Sequence, residues 1–303
     1  MFRRRIDYVI TREYEGLKIS AYLKQRGYPE KALTILRRVD GYLLIDNEAV
    51  HMNYRLFSET EKLTQTLSVL VEEQGEPSDI VPAGPDVDVV YEDDDILVVN
   101  KPAHMSIHPS IGHYEDTLAN AVMNRCSLRG EEMVFRCINR LDRDTTGLTI
   151  IAKHYLAAGI LSEAMRRREI KRVYTAVVEG VDLPDEGEID LPIARVTDSV
   201  VLREVNLERG ESALTFYRVV KRLPEKNLSV VELTLKTGRT HQIRVHMKAL
   251  GHPLIGDFLY NPDNHVMDRQ ALHAGHIRFA QPITGEIMDF LVPLPKDIQR
   301  VLN

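Results

Sequence analysis

The sequence predicts an α+β fold, in which a larger domain with a largely antiparallel mixed sheet and flanking helices follows a smaller N-terminal part. Three observations lead there. Strand-like and helix-like apolar patterns are mixed along the chain beyond residue 88. The segment EEQGEPSDIVPAGPDVD (72–88) concentrates acids, prolines and glycines, the composition of a solvated linker. The 303 residues, 44% hydrophobic and 28% charged, are enough for more than one core. The expected division is 1–75 for the small module, 76–88 for the linker and 89–303 for the main domain.

In chain order, LKISAYLKQR (17–26) and EKALTILRR (30–38) carry helical spacing, the second with two arginines in its last turn. YLLID then reads as a strand between the turn signals Asp40-Gly41 and Asn47-Glu48. VDVVYEDDDILVVNKP (87–102) reads as two strands around an acidic turn. Asp116 is the expected cap of a helix over DTLANAVMNR. GLTIIAK (147–153) reads as a strand, YLAAGILSEAMRRR (155–168) as a helix and IKRVYTAVVEG (170–180) as a strand. LSVVELTLKTGRT (228–240) is a strand ending in a Thr-Gly-Arg turn. HQIRVHMKALG (241–251) is a helix closed by Gly251. Residues 272–280 and 286–292 pair as a hairpin around Pro282 and Gly285.

The formal net charge of −6 comes from one segment. Residues 72–95 hold 10 acids and no base, while 1–71 carry an excess of three positive charges and 96–303 an excess of one. A local basic groove therefore remains compatible with the composition. No apolar run is long enough for a membrane helix, and the basic start MFRRRIDYVI lacks an apolar region after it. The expectation is a cytoplasmic, monomeric protein with no membrane role. Cys126 and Cys137 form no CxxC pair, which argues for two free thiols.

Three stretches carry candidate chemistry. In NRLDRDTTGLTIIAK (139–153) a short loop presents Asp142 between Arg140 and Arg143. Nearby cations favour an ionised carboxylate, and such a group can act as a nucleophile. The alternative is that Asp142 or Asp144 simply caps the turn. In KTGRTHQIRVHMKALGHPLIGD (236–257), helical spacing puts His241, Arg244 and Lys248 on one face, where they could meet phosphates or a carboxylate. The alternative there is a solvated face. Zinc binding by His241, His246 and His252 fits poorly, because an i,i+5 spacing separates the first two. His273 and His276 would point to opposite sides of a strand. In RRREIKRVYTAVVEG (166–180), a basic helix end precedes Tyr174, which could stack on a base or pack in the core.

Together these segments resemble the RluA-type family of RNA pseudouridine synthases. Asn139-Arg140-Leu141-Asp142 and Thr145-Thr146-Gly147-Leu148 follow that family's central motif, with Asn in place of His and Thr in place of Ser. Gly238-Arg-Thr-His-Gln-Ile-Arg-Val-His-Met247 and Gly251 to Asp257 follow its later motif without a break. Asn100-Lys101-Pro102, His108-Pro109, Leu272-His273-Ala274 and Phe290 to Pro293 match as well, so the likeness spans roughly 85–295.

The resemblance implies a catalytic aspartate at Asp142, its partner at Arg244, an aromatic against the target base at Tyr174 and a base-displacing arginine at Arg140. The matching positions Lys101, His108, Leu148, Arg239, His241 and Gln242 are expected to bind substrate with Arg140. The implied reaction needs no cofactor and no metal. The N-terminal part looks like a diverged form of a small α/β RNA-binding module known from a ribosomal small-subunit protein. Expected partners are RNA, ribosomal or transfer, and the target base must leave its stack first. Whether Asp142 attacks the ribose or the base is left open. Two rival readings remain: a glycosidic-bond hydrolase using Asp144 as second carboxylate, and a non-catalytic RNA binder.

Overall fold

The computed structural model of the chain describes residues 3–58, 60–73 and 79–303. Strand β1 (Arg3–Thr11) turns Ile6, Tyr8 and Ile10 inward and their neighbours outward, the two-residue period of a half-buried strand. Helices α1 (Ile19–Gln25) and α2 (Glu30–Arg38) follow where the spacing predicts them. Next come β2 (Leu43–Ile45), β3 (Glu48–Ala49) and β4 (Thr64–Glu72). The β2–β3 turn falls at Asp46-Asn47, one residue earlier than predicted, with both residues at positive φ. These strands form an antiparallel sheet in the order β1-β4-β2-β3, covered by the two helices.

The start of the predicted linker, 76–78, lies outside the described residues. Its remainder is mostly exposed, yet it is pinned to the main domain. Asn120 donates to the Val81 carbonyl at 2.8 Å, and Val87 is buried in the cluster that holds Leu118 and Val122. Apolar Ile80 packs there too, so the segment is tied to the main sheet.

That sheet begins with the hairpin of β5 (Val89–Glu92) and β6 (Ile96–Lys101), whose turn is closed by Asp93 accepting from the Asp95 and Ile96 amides. Helix α3 (Leu118–Leu128) is capped by Thr117 in a capping box with Asn120, not by Asp116. Then follow β7 (Thr146–Ala152), α4 (Tyr155–Arg166), β8 (Lys171–Glu179) and β9 (Glu186–Asp190). A small hairpin of β10 (Ile193–Arg195) and β11 (Arg203–Val205) precedes β12 (Leu214–Leu223) and β13 (Leu228–Leu235). The chain ends with α5 (Gln242–Ala249), β14 (Leu272–Ala280), β15 (Ile287–Leu291) and α6 (Lys296–Leu302).

The large sheet runs β5-β6-β7-β14-β8-β13-β12-β9, with β15 on β14. Every pairing in it is antiparallel except β7 with β14. The fold is thus the predicted α+β arrangement with a largely antiparallel mixed sheet. All seven residues of β7 are buried, which places this strand at the centre of the main domain.

Candidate active site

Asp142 sits in the turn that leads into β7, and the surrounding structure holds that turn by its backbone. The Lys101 ammonium donates to the carbonyls of Pro102, Met105 and Arg143 at 2.7–2.9 Å. The Met105 amide also donates to the Arg143 carbonyl, and Arg269 donates to that of Asp144 at 3.0 Å. Within the turn, the Thr145 amide closes on the Asp142 carbonyl. Asn139 uses both ends of its amide on one edge of β7, donating to the Leu148 carbonyl and accepting from the Ile150 amide. The Asn in place of the family's His therefore fastens backbone.

From the other half of the sheet, α5 brings Arg244. Its guanidinium is 3% exposed and forks to Asp257, with Nε and Nη2 each donating at 2.7 Å. Nη1 donates to Asp142 Oδ2 at 3.2 Å. Burial works against the Arg244 charge, but the bonds to Asp257 outweigh it and its pKa lies above the ordinary arginine value. Asp257 is fully buried, whereas the Asp142 side chain is 25% exposed. One carboxylate thus anchors the arginine and the other faces a cleft of about 770 Å³. The motif containing Asp257 was legible in the sequence. Its role was not, because nothing local marks it as the arginine's counterion.

The cleft is lined by Arg140, His108, Tyr174, Arg172, Arg203 and Arg239, among others. Tyr174 is buried in the apolar cluster with Leu141, on the same strand face as Arg172, and burial pushes its phenol up. His108 packs edge-on against Phe135, and burial holds its imidazole below the ordinary histidine value. The Arg239 guanidinium reaches Glu211 at 2.5 Å.

His241 precedes the helix that carries Arg244 and Lys248, yet its side chain gathers with theirs around Tyr260. It is the residue before α5, with φ +58°, a left-handed backbone that costs a non-glycine residue on the order of 1–3 kcal/mol. Its Nδ1 meets the Tyr260 hydroxyl at 2.9 Å, and its Nε2 lies 3.9 Å from Asp142 Oδ2. Arg244 and Lys248 both approach the Tyr260 ring, at 5.0 and 5.7 Å from its centre.

Three expected substrate contacts have structural partners. Leu148 is buried in the cluster between β6, β7 and α4 and does not line the cleft. Lys101 is fully buried with all three donors used on backbone, and burial lowers its pKa to about 7. Gln242 lines the cleft, but its amide is used up by Thr237, the Arg239 amide, the Leu214 carbonyl and Thr215. All three hold the frame of the site. Asp144, the second carboxylate a hydrolase would need, is turned aside to His104 at 2.9 Å and Arg143 at 3.1 Å. Among the described residues no group of three His, Cys, Asp or Glu side chains is placed to hold a metal ion.

Comparison with known proteins identifies the family. Residues 95–249 match the family described as RNA pseudouridylate synthase. A Bacillus subtilis (strain 168) protein, named Uncharacterized RNA pseudouridine synthase YjbO, is 37% identical over 287 residues, which is 95% of this chain and 99% of that one. The ribosomal large subunit pseudouridine synthase D of Zymomonas mobilis is 41% identical over 241 residues, 74% of this chain and 73% of that one. Among solved structures, human RNA Pseudouridylate Synthase Domain Containing 1 aligns with a TM-score of 0.58 at 27% identity, covering 72% of this chain and 86% of the human one. With the two halves of the sheet delivering an aspartate and a doubly anchored arginine to one cleft, and with relatives matching along nearly the whole length, the chain belongs to the RluA-type RNA pseudouridine synthases, isomerases that act on RNA.

Proposed function

We propose that the enzyme converts uridines of ribosomal RNA to pseudouridine in the cytoplasm, with Asp142 as nucleophile on a base flipped out of its stack. The observation that carries the reading is the division of labour at Arg244: a buried fork to Asp257 fixes the guanidinium, and its remaining donor orients the only one of the two carboxylates that reaches the cleft. Ribosomal RNA is favoured over transfer RNA by the names of relatives such as the Zymomonas mobilis enzyme.

The chemistry follows from these groups. Arginine beside a carboxylate keeps it charged and aimed. The bond from the ribose carbon to N1 breaks, the uracil turns, and a new bond forms to C5, whose hydrogen leaves as a proton while N1 gains one. Asp142 holds the displaced centre in the meantime, as a covalent nucleophile does. Arg140 and Tyr174, at the cleft wall, are suited to fill the gap left by the base and to pack against it. The small module, 1–75, is proposed to bind RNA through α2, whose Lys31, Arg37 and Arg38 are exposed without a carboxylate partner among the described residues.

Incubation with ribosomal RNA tritiated at uridine C5 tests this. Wild-type protein should release tritium and an Asp142→Ala variant should release none. Equal release by both would remove Asp142 from the mechanism, and release of free uracil would turn the reading towards a hydrolase.

A further inference from the structure

We propose that His241 is a fixed N–H donor to a carbonyl oxygen of the flipped uracil, locked in that form by Tyr260. The inference rests on the proposed function and deepens it.

The proton positions follow from the hydrogen-bond partners. The Arg203 amide donates to the Tyr260 hydroxyl oxygen at 3.0 Å. That hydroxyl lies 2.9 Å from His241 Nδ1, and Tyr260 is buried at 5% exposure. If the imidazole donated through Nδ1, the phenol proton would have no acceptor among the described residues, an expensive omission in a buried group. The phenol therefore donates to Nδ1, and in the neutral imidazole the proton resides on Nε2. Burial keeps His241 below the ordinary histidine value, in keeping with the neutral form.

The Nε2–H faces the cleft, and at 3.9 Å from Asp142 Oδ2 it is not spent on the nucleophile. It is available beside the atom that attacks. Uracil offers two carbonyl oxygens, and both routes of attack load charge onto them. Departure of the ribose carbon leaves an electron pair on the ring, spread over both oxygens. Attack on the ring carbon beside N1 sends a pair to the C4 oxygen. A prepositioned donor stabilises either state. Cytosine presents an amine in place of the C4 oxygen, and a donor there would meet a donor. The left-handed backbone at His241 has its reason in this aim: a helical φ would carry the ring round with α5.

The test has an arm without RNA. Nitrogen NMR of free wild-type protein at pH 7, with the His241 signal identified by its loss in His241→Gln, should show Nδ1 bare and Nε2 protonated. In Tyr260→Phe both forms should coexist, and kcat for tritium release should fall about tenfold while KM for RNA stays within a factor of two. Target RNAs carrying 2-thiouracil or 4-thiouracil, whose sulfur accepts poorly, form the second arm. One of the two should slow the wild type about tenfold and leave His241→Ala unaffected. A protonated Nδ1 in the wild type, full turnover by Tyr260→Phe, or no coupling between His241 and either sulfur overturns the proposal. Absence of tritium release from the wild type would instead defeat the proposed function, and the NMR arm would still decide the proton positions.

Discussion

Arg244 divides one guanidinium between two carboxylates of unequal burial. Removing the buried one is the harsher change. Asp257→Ala would leave a cation uncompensated, and the expected loss is about 3–5 kcal/mol of stability, measurable by urea unfolding. Arg244→Lys keeps a charge for Asp257 but loses the planar fork. The variant should fold and release tritium at least about a hundredfold more slowly; wild-type turnover would contradict the orienting role. Lys101 adds a pH dependence. Burial lowers its folded pKa from 10.5 to about 7, so between those values the unfolded chain binds more protons. Stability relative to Lys101→Met should therefore rise with pH from about 7 towards 10.5, and urea midpoints taken across that window would reveal a flat difference if the idea is wrong. The sequence made Asp142 and Arg244 legible through motifs that resemble the family's; spacing alone left a capped turn and a solvated helix face open. It could not tell how the motif residues are used: Leu148 and Lys101 do not line the cleft, and Gln242 at its wall has its amide engaged by the protein. A motif records that residues belong to one site, while burial and hydrogen bonding decide which of their groups are left free.

Strand β7 shows why an element can tolerate only one residue at a given place. Gly147 has φ +116°, and a Cβ there would lie 2.3 Å from the Ala274 carbonyl oxygen, on the strand it pairs with in parallel. Gly147→Ala should cost at least about 3 kcal/mol, since neither the backbone angle nor the contact can yield cheaply; a thermal midpoint near that of the wild type would show that the strands part more easily. Most elements of the main domain were readable from apolar spacing. Strands β1 and β4 were not read, although Ile6, Tyr8 and Ile10 alternate, as do Leu67, Val69 and Val71. Their pairing joins residues some sixty positions apart, such as Arg5 with Leu70, and local pattern names no such partner. Helical spacing aligned His241 with Arg244, and the two do meet at Asp142 and Tyr260, but His241 gets there from the N-cap through one left-handed residue.

Across the whole molecule, the small sheet does not hang free. Leu156 of α4 is buried in its apolar cluster, and Arg4 reaches Asp95, which His154 and Gln281 also contact. Glu73 receives Arg136 and the Tyr155 amide, and a Cβ on Gly159 would lie 2.8 Å from Pro29. Shared burial of this kind predicts one cooperative unfolding transition. Leu156→Ala should lower its free energy by about 2–5 kcal/mol, and Leu156→Asp should split it in two; calorimetry that finds two transitions in the wild type would refute the coupling. The single parallel contact, β7 with β14, has a consequence for how activity is acquired. It joins strands more than 120 residues apart, His273 with Thr146, and it is this junction that sets the Asp142 turn beside Arg244. Such distant contacts are slow to form. A chain still emerging from synthesis has its aspartate long before it has β14. If Asp142 works as proposed, activity should be among the last properties the molecule gains.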